Sequence, residues 1–579
     1  MLGFKFGFRF LGHCYPSSRI DQVSLHLAPG QLHNGNMCLS FHTQNTGCKR
    51  KLYKVPSAIS YCHVLRPSAS PGSIELDGTT KGNQTSPSTL SPDNVQSRQL
   101  YHSGSPPVDI ADFERQLQEL FSEVKNLIRV GSKDDAINLL QANYESVKEQ
   151  IATGARGIEE AAILDVLALG YIATGDFKRL SSLLDVLDDV VGYLKDDEPL
   201  LDSILTHMGS MYSTMGKFEK SMLMYGRSLV ILEGEYGKSS IFLVTPLLGM
   251  AKVLGATSRT TEAVEVYYRV IRVLELHKGG ESEDLVVPLL GLGNLLMKVG
   301  KAGDAENSFL RILDIYTKLY GENDGRVGMA MCSLAHVKCA KGNVDEAIRL
   351  YRDALQVLKA SKSMALDDNI LEKMRIDLAE LLHSVGRGKE GRELLEECLF
   401  ITQKYKGKEH PSLVTHLINL ATSYSGSKSF VEADRLLRTS LHIITKTADP
   451  DDPSITFPML HLAVNLYNLH QFTEAEQLAQ EAVCIREKAF GKESLPVGEA
   501  LDCLVSIQSK LEKDDAELLE NLKRVLAIQE KAFGYESEEV MQTLKKVLFY
   551  LDKMGLKNEK FPLQRRLSIL RTKYKHMIR

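Results

Sequence analysis

The fold is decided by residues 409–433, which read EHPSLVTHLINLATSYSGSKSFVEA. This stretch carries two small residues, Ala421 and Ala433, separated by twelve positions. Between them, serine, glycine and lysine residues at 425–429 interrupt the apolar periodicity and predict a tight turn. Small side chains at this separation let two helix backbones approach closely. The stretch therefore predicts two antiparallel helices joined by a short turn.

The same pattern recurs along most of the chain with a period of 42 residues, apart from one step of 44 before Gly391. The small residues of the first helices are Gly209, Ala251, Gly293, Ala335, Ala379, Ala421 and Ala463. Those of the second helices are Ala263, Ala305, Ala347, Gly391, Ala433 and Ala475. One hairpin cannot bury its apolar face alone, so neighbouring hairpins must stack. The predicted fold is all-α, an α-solenoid (superhelix) of stacked antiparallel helix hairpins.

The order small, aromatic, small in Ala421…Tyr424…Ala433 resembles the tetratricopeptide repeat. The period exceeds the usual one of about 34 residues and, with the phrases IREKAFG at 485–491 and IQEKAFG at 528–534, resembles the kinesin light chain variety. The resemblance covers about residues 200–534. The heptad coiled coil that precedes these repeats in kinesin light chains is not evident, so a motor role is not supported.

These patterns divide the chain into five segments. They are a transit peptide without ordered structure (1–75), a flexible linker (76–107), degenerate helical repeats (108–198), the repeat array (199–544) and a basic C-terminal capping helix (545–579). The first segment is almost free of acids and rich in Ser, Thr and Gly, which is typical of organellar transit peptides. We expect a chloroplast protein. The alternatives are a mitochondrial protein or, if the leader is only a disordered tail, a cytoplasmic one.

The formal net charge of −4 hides three regions of different sign. Residues 1–74 carry +7 and residues 553–579 carry +8, so the segment between them carries −19. Such an acidic surface repels phosphate backbones, which argues against nucleic acid as a partner. No apolar run approaches the roughly 20 residues needed to cross a bilayer, so no transmembrane segment is predicted.

A search for catalytic motifs finds none. There is no GxxxxGK[ST] loop, no HExxH and no GxSxG in the sequence. The nine cysteines show no CxxC pair, and Cys332 and Cys339 have no histidine pair nearby to complete a metal site. We therefore predict no enzyme, no cofactor and no metal.

The resemblance implies that partners bind in a concave groove lined by the first helices. Residues two before or one after each first-helix small residue would face this groove. They are His207, Lys252, Asn294, His336, Asp377, Glu380, Asn419, Thr422 and His461. Such a ladder of polar groups suits an extended peptide, although it would also serve simply to solvate the surface.

The predicted function is therefore a scaffold or assembly factor in an organelle that binds protein or peptide partners. The alternative is a helical-repeat RNA-binding factor in organellar transcript processing. The acidic middle of the chain argues against this alternative. So does the period, because repeat proteins that read one base per repeat use coded side chains in shorter units.

Overall fold

The computed structural model describes residues 110–577, so the predicted transit peptide and the predicted linker lie outside the described residues. The described chain divides into an N-terminal unit, residues 110–343, and a C-terminal unit, residues 344–577. Residues 110–577 contain helices and turns but no strand. The predicted all-α class is confirmed.

The N-terminal unit is built from eleven helices within residues 110–343. They are α1 (Ile110–Val130), α2 (Lys133–Ala152), α3 (Ile158–Thr174), α4 (Phe177–Tyr193), α5 (Leu201–Thr214), α6 (Phe218–Tyr236), α7 (Val244–Ala256), α8 (Thr260–Lys278), α9 (Val286–Lys298), α10 (Ala302–Tyr320) and α11 (Gly325–Ala340). Helices α5 and α6, α7 and α8, and α9 and α10 pack as hairpins. Each of the last two hairpins is preceded by one turn of 3₁₀ helix, Ile241–Leu243 and Glu283–Leu285.

The C-terminal unit continues the same pattern within residues 344–577. Its helices are α12 (Val344–Ser361), α13 (Asn369–Ser384), α14 (Gly388–Lys406), α15 (Leu413–Gly426), α16 (Phe430–Thr447), α17 (Thr456–Asn468), α18 (Phe472–Phe490), α19 (Leu495–Gln508), α20 (Asp515–Phe533), α21 (Glu538–Lys553) and α22 (Lys557–Met577). Successive helices from α13 to α22 pack against each other. Each unit is therefore a stack of antiparallel hairpins, as the sequence predicts.

Local sequence sets where these helices begin and end. The side chain of Asp324 accepts a hydrogen bond from the N–H of Arg326 at the start of α11, and Asp368 does the same for Ile370 at the start of α13. The turns inside the hairpins need a residue with positive φ, which Gly300 supplies at +76°. His470 takes the same conformation at +62° where the repeat lacks glycine.

The thirteen small residues of the repeat are all buried. Ala421 and Ala433 have no exposed surface. Two of them, Gly209 and Gly293, lie directly against an aromatic ring of the second helix. A Cβ atom at Gly209 would lie 2.7 Å from Cε1 of Tyr225, and one at Gly293 would lie 2.8 Å from Cζ of Phe309. Glycine at these two positions therefore leaves room for a ring between two helices.

The C-terminal end requires a correction. The predicted boundary at 544/545 falls inside α21, because the chain forms one more hairpin, α21 and α22, in place of a single capping helix. Leu567 and Leu570 are buried, whereas Phe561 is 63% exposed. Position 561 corresponds in the repeat to Leu519 of α20, which is only 4% exposed. The buried position of α20 is thus exposed in α22, the last described helix.

The next positions along the same face of α22 carry polar residues. Leu522 and Leu526 of α20 are buried, and the corresponding residues of α22 are Gln564 and Ser568, both exposed. Helix α22 is therefore more polar than α20 at these two positions.

Candidate functional site

The nine predicted groove residues all lie on first helices. His207, Lys252, Asn294 and His336 belong to α5, α7, α9 and α11 of the N-terminal unit. The remaining five belong to α13, α15 and α17 of the C-terminal unit. The period thus places them on equivalent helices, but their environments differ.

His207 does not face a groove, which corrects the prediction for this residue. It is 7% exposed, and its Nδ1 atom lies 2.7 Å from Oδ2 of Asp165 on α3. The reason is the close packing of α3 against α5. Burial by itself would lower the pKa of His207, but the charge of Asp165 and the hydrogen bond to it outweigh burial and raise the pKa.

The polar ladder is also interrupted further along the N-terminal unit. Gly249 and Gly291 occupy the repeat position of His207, and the rings of Tyr225 and Tyr267 fill the space beside them. The positions after the small residues remain open to water. Lys252 is exposed, while Asn294 and His336 are half-buried. The Nδ1 atom of His336 lies 3.9 Å from Sγ of Cys332.

In the C-terminal unit, the five predicted residues are exposed or half-buried. Asp377 is half-buried and Glu380 is exposed. Although part of the Glu380 side chain is exposed, neighbouring atoms shield its carboxyl from water. This shielding, and second the charge of Asp377, raise the pKa of that carboxyl. Thr422 donates its hydroxyl hydrogen to the carbonyl oxygen of Ile418 in its own helix, at 2.9 Å, so that hydrogen is already used within the helix.

Asn419 and His461 are the most available members of the set. Both are half-buried, and among the described residues neither side chain has a hydrogen-bond partner. Burial, with the positive charge of Arg486 as a second cause, lowers the pKa of His461 to about 4. The imidazole is therefore neutral near pH 7 and offers one donor and one acceptor.

Sequence reasoning missed a set of buried polar residues that join three second helices, α14, α18 and α20, to the following first helix. Thr402 lies 3.1 Å from Nε2 of His416, and Thr543 donates to Oε1 of Gln529 at 2.6 Å. Arg486, 1% exposed, donates to the carbonyl oxygen of Pro496 at 2.6 Å. Each link spans ten to fourteen residues. The unusual polarity of positions just after an isoleucine near the end of second helices could have revealed them.

A second missed set is a series of five arginines in second helices. They are Arg227, Arg269, Arg311, Arg524 and Arg566. Each reaches back to the turn that follows the preceding second helix. Arg269 donates to the carbonyl oxygen of Lys238 at 3.1 Å, and Arg311 donates to that of Gly280 at 3.0 Å. We call these five residues the turn-binding arginines. The spacing of 42 residues from Arg227 to Arg269 to Arg311, and again from Arg524 to Arg566, was visible in the sequence.

Within residues 110–577, no group of three or more His, Cys, Asp or Glu side chains is arranged to hold a metal ion. None of the helices in this part of the chain is long and apolar enough to pass through a membrane.

Comparison with solved structures finds repeat proteins. The TPR-like repeats of a kinesin light chain of Podosopora anserina are 23% identical over 35% of this chain and 95% of that chain, with a TM-score of 0.32. BtubC of P. vanneervenii is 19% identical over 42% of this chain and 92% of its own, with a TM-score of 0.34. The quorum sensor NprR of B. thuringiensis is 12% identical over 65% of this chain and 99% of its own, with a TM-score of 0.40.

Comparison of the sequence with family models identifies the repeats directly. One model of the tetratricopeptide repeat matches residues 284–360 and 371–446, and a second matches residues 459–495. No curated protein matches the chain at a significant level. The matched residues cover α9 to α18 almost without interruption. Residues 284–495 of the chain therefore consist of tetratricopeptide repeats.

Proposed function

We propose that the protein is a non-catalytic interaction scaffold in an organelle and that it binds an extended peptide on the first helices of its C-terminal unit. Tetratricopeptide repeats support protein binding as the general role. The observation that carries the specific proposal is the pair Asn419 and His461, two half-buried polar side chains whose hydrogen-bonding groups are unused.

These two residues occupy the same repeat position on neighbouring first helices, α15 and α17. At the equivalent positions of α3 and α5, Asp165 and His207 are within hydrogen-bonding distance, at 2.7 Å. Asn419 and His461 therefore lie one repeat apart on two first helices that contact each other, α15 and α17. A side-chain amide and a neutral imidazole supply both donors and acceptors, which is what the backbone of an extended peptide requires.

The test is a comparison of two variants of the full chain by photo-crosslinking in organelle extract. A photoreactive amino acid at Val464, half-buried on α17, reports on the proposed surface. The same group at Arg435, exposed on α16, is the matched control. We expect protein adducts at position 464 that disappear when Asn419 and His461 are both changed to alanine, and no such loss at position 435.

Adducts at position 464 that are unchanged by the double substitution would contradict the proposed surface. Tight RNA binding by the purified chain that weakens steeply with salt would favour the alternative function in transcript processing.

The organellar location is proposed from the composition of residues 1–75 alone. A fluorescent protein fused behind residues 1–100 should enter chloroplasts, and the mature amino terminus should lie before the repeats. Fluorescence that stays in the cytoplasm would contradict this part of the proposal.

A further inference from the structure

One face of α22 is open where the same face of α20 is covered. In α20, this face packs against α21 and its leucines share an apolar cluster with residues of α21. Four positions of the face are no more than 8% exposed in α20, namely Leu519, Leu522, Leu526 and Gln529. The corresponding residues of α22 are all exposed, and they are Phe561, Gln564, Ser568 and Arg571. The open face of α22 is therefore the place that a following first helix would occupy.

The last of these four positions is where a second helix bonds to the next first helix. Thr402, Arg486 and Gln529 hold it in α14, α18 and α20, and we call it the link position. Gln529 accepts the hydroxyl hydrogen of Thr543 on α21 at 2.6 Å. Arg571 holds the link position in α22, and among the described residues its side chain has no hydrogen-bond or ion-pair partner.

The chain itself shows what an arginine binds at the link position. The Nη1 atom of Arg486 donates to the carbonyl oxygen of Pro496 at 2.6 Å and lies 3.2 Å from Oε2 of Glu499. Glu499 is the fifth residue of α19, the first helix that follows. The side chains of this pair are only 2% and 8% exposed. A guanidinium at this position is therefore matched by a carbonyl and a carboxylate near the start of the next helix.

The charge of the last hairpin favours an acidic helix on this face. Residues 538–579 contain eleven lysines and arginines against four aspartates and glutamates. Two of the acids, Asp552 and Glu559, are already paired with lysines of the chain. The other two, Glu538 and Glu539, begin α21, and neither forms an ion pair with Arg571. Unpaired positive charge thus lies at one end of the open face, and Phe561, 63% exposed, lies at the other.

We propose that the open face of α22 docks an acidic amphipathic helix of a protein partner in the place of a following first helix. An acid in the first turns of that helix pairs with Arg571, as Glu499 pairs with Arg486. Apolar side chains further along the helix cover Phe561, which lies ten residues or roughly 15 Å from Arg571. This surface belongs to a second helix and is separate from the peptide-binding surface proposed above, so either proposal can fail without the other.

The test uses the full chain and a synthetic stapled helix of about 15 residues. The probe follows the pattern of α19, with glutamate at its fifth position and apolar residues at the positions of Val497, Ala500, Leu501 and Leu504, which are buried in α19. Glutamates on its outer face make it acidic. Binding is measured by fluorescence anisotropy. We expect saturable binding that weakens at least about tenfold with Arg571→Glu.

The matched control is Arg565→Glu, which makes the same charge change in the same helix. Arg565 is also exposed and has no partner among the described residues, but it lies about a third of a turn around the helix from Arg571. We expect this variant to weaken binding by less than about threefold. Circular dichroism establishes that both variants are folded.

A charge-swapped probe, with lysine at the fifth position, provides the second measurement. It should bind the original chain at least about tenfold more weakly and recover affinity with the Arg571→Glu chain. The proposal is overturned if the acidic probe shows no saturable binding up to about 1 mM, or if Arg571→Glu and Arg565→Glu weaken binding equally.

Two other occupants would give different results with the same variants. A dimer of the chain alone in sedimentation, lost on Arg571→Glu, would overturn the proposal in favour of a second copy. Vesicles of phosphatidylcholine and phosphatidylserine that bind more tightly than the probe, and equally less to both arginine variants, would overturn it in favour of an anionic lipid surface.

Discussion

The ring of Tyr225 occupies the space that a side chain at Gly249 would need, because a Cβ atom there would lie 2.2 Å from Cζ of the ring. Tyr225 belongs to α6, and Gly249 belongs to the first helix of the next hairpin, α7. The relationship recurs one repeat later, where a Cβ at Gly291 would lie 2.5 Å from the hydroxyl oxygen of Tyr267. One aromatic ring thus sets the spacing between successive hairpins.

Replacing Gly249 with alanine should destabilise the protein, since the ring of Tyr225 is buried and cannot move aside without disturbing its neighbours. We expect a loss of about 1–3 kcal/mol, measured as reduced amide-exchange protection in α6 and α7. The matched control is Gly226→Ala within α6, where a Cβ would meet no atom within 4 Å. Because alanine favours helix more than glycine does, this control should be neutral or stabilising by up to about 1 kcal/mol.

A long charged side chain at the repeat's small position should be more damaging. Ala335→Arg and Ala421→Arg each place a guanidinium where the native side chain has no exposed surface. We expect each to cost at least about 1–3 kcal/mol, seen as a lower melting temperature. Val431→Arg, at a residue 69% exposed in α16, is the control and should change stability by less than about 0.5 kcal/mol. Unchanged melting of the two alanine variants would show that the repeat register is wrong.

The turn-binding arginines should stabilise contacts between successive second helices. Arg311→Met removes the hydrogen bond to the Gly280 carbonyl and the 2.6 Å ion pair with Glu275. Because the Arg311 side chain is 30% exposed, we expect a loss of only about 1 kcal/mol, measured by chemical denaturation. Lys531→Met breaks a pair whose side chains are 72% and 79% exposed and should have no measurable effect. Equal losses in both variants would contradict a specific role for the turn contact.

The buried pair of His207 and Asp165 should make stability depend on pH. The pKa of His207 is raised in the folded chain, so its protonated form is favoured by folding. This contribution is complete below the unfolded pKa of about 6.5 and is lost as pH rises through the folded value. We expect His207→Gln to destabilise the protein more at about pH 6 than at about pH 9.

The measurement is the free energy of unfolding of both chains across this pH range. Asp165→Asn should abolish the same pH dependence, because it removes the charge that holds the proton on His207. If the free energies of unfolding of the original chain and of His207→Gln differed by the same amount at every pH, His207 would not be the group that binds the proton on folding.

Part of the candidate site followed from the repeat alone. The period places His207, Asn419 and His461 on equivalent positions, because a residue's number within the repeat fixes its position along its helix. The period says nothing about what packs on that position. Asp165 lies exactly one period before His207 yet was not singled out, because a pair forms only where α3 and α5 pack closely enough.

The sequence by itself determined the helical class, the hairpin length and the buried small residues, because these depend on spacing within about forty residues of chain. Only the tertiary structure decided which polar side chains pack against a neighbouring helix, as His207 does, and which stay accessible to a partner, as Asn419 does. Such outcomes depend on packing and on competition among nearby charges, which a one-dimensional repeat does not encode.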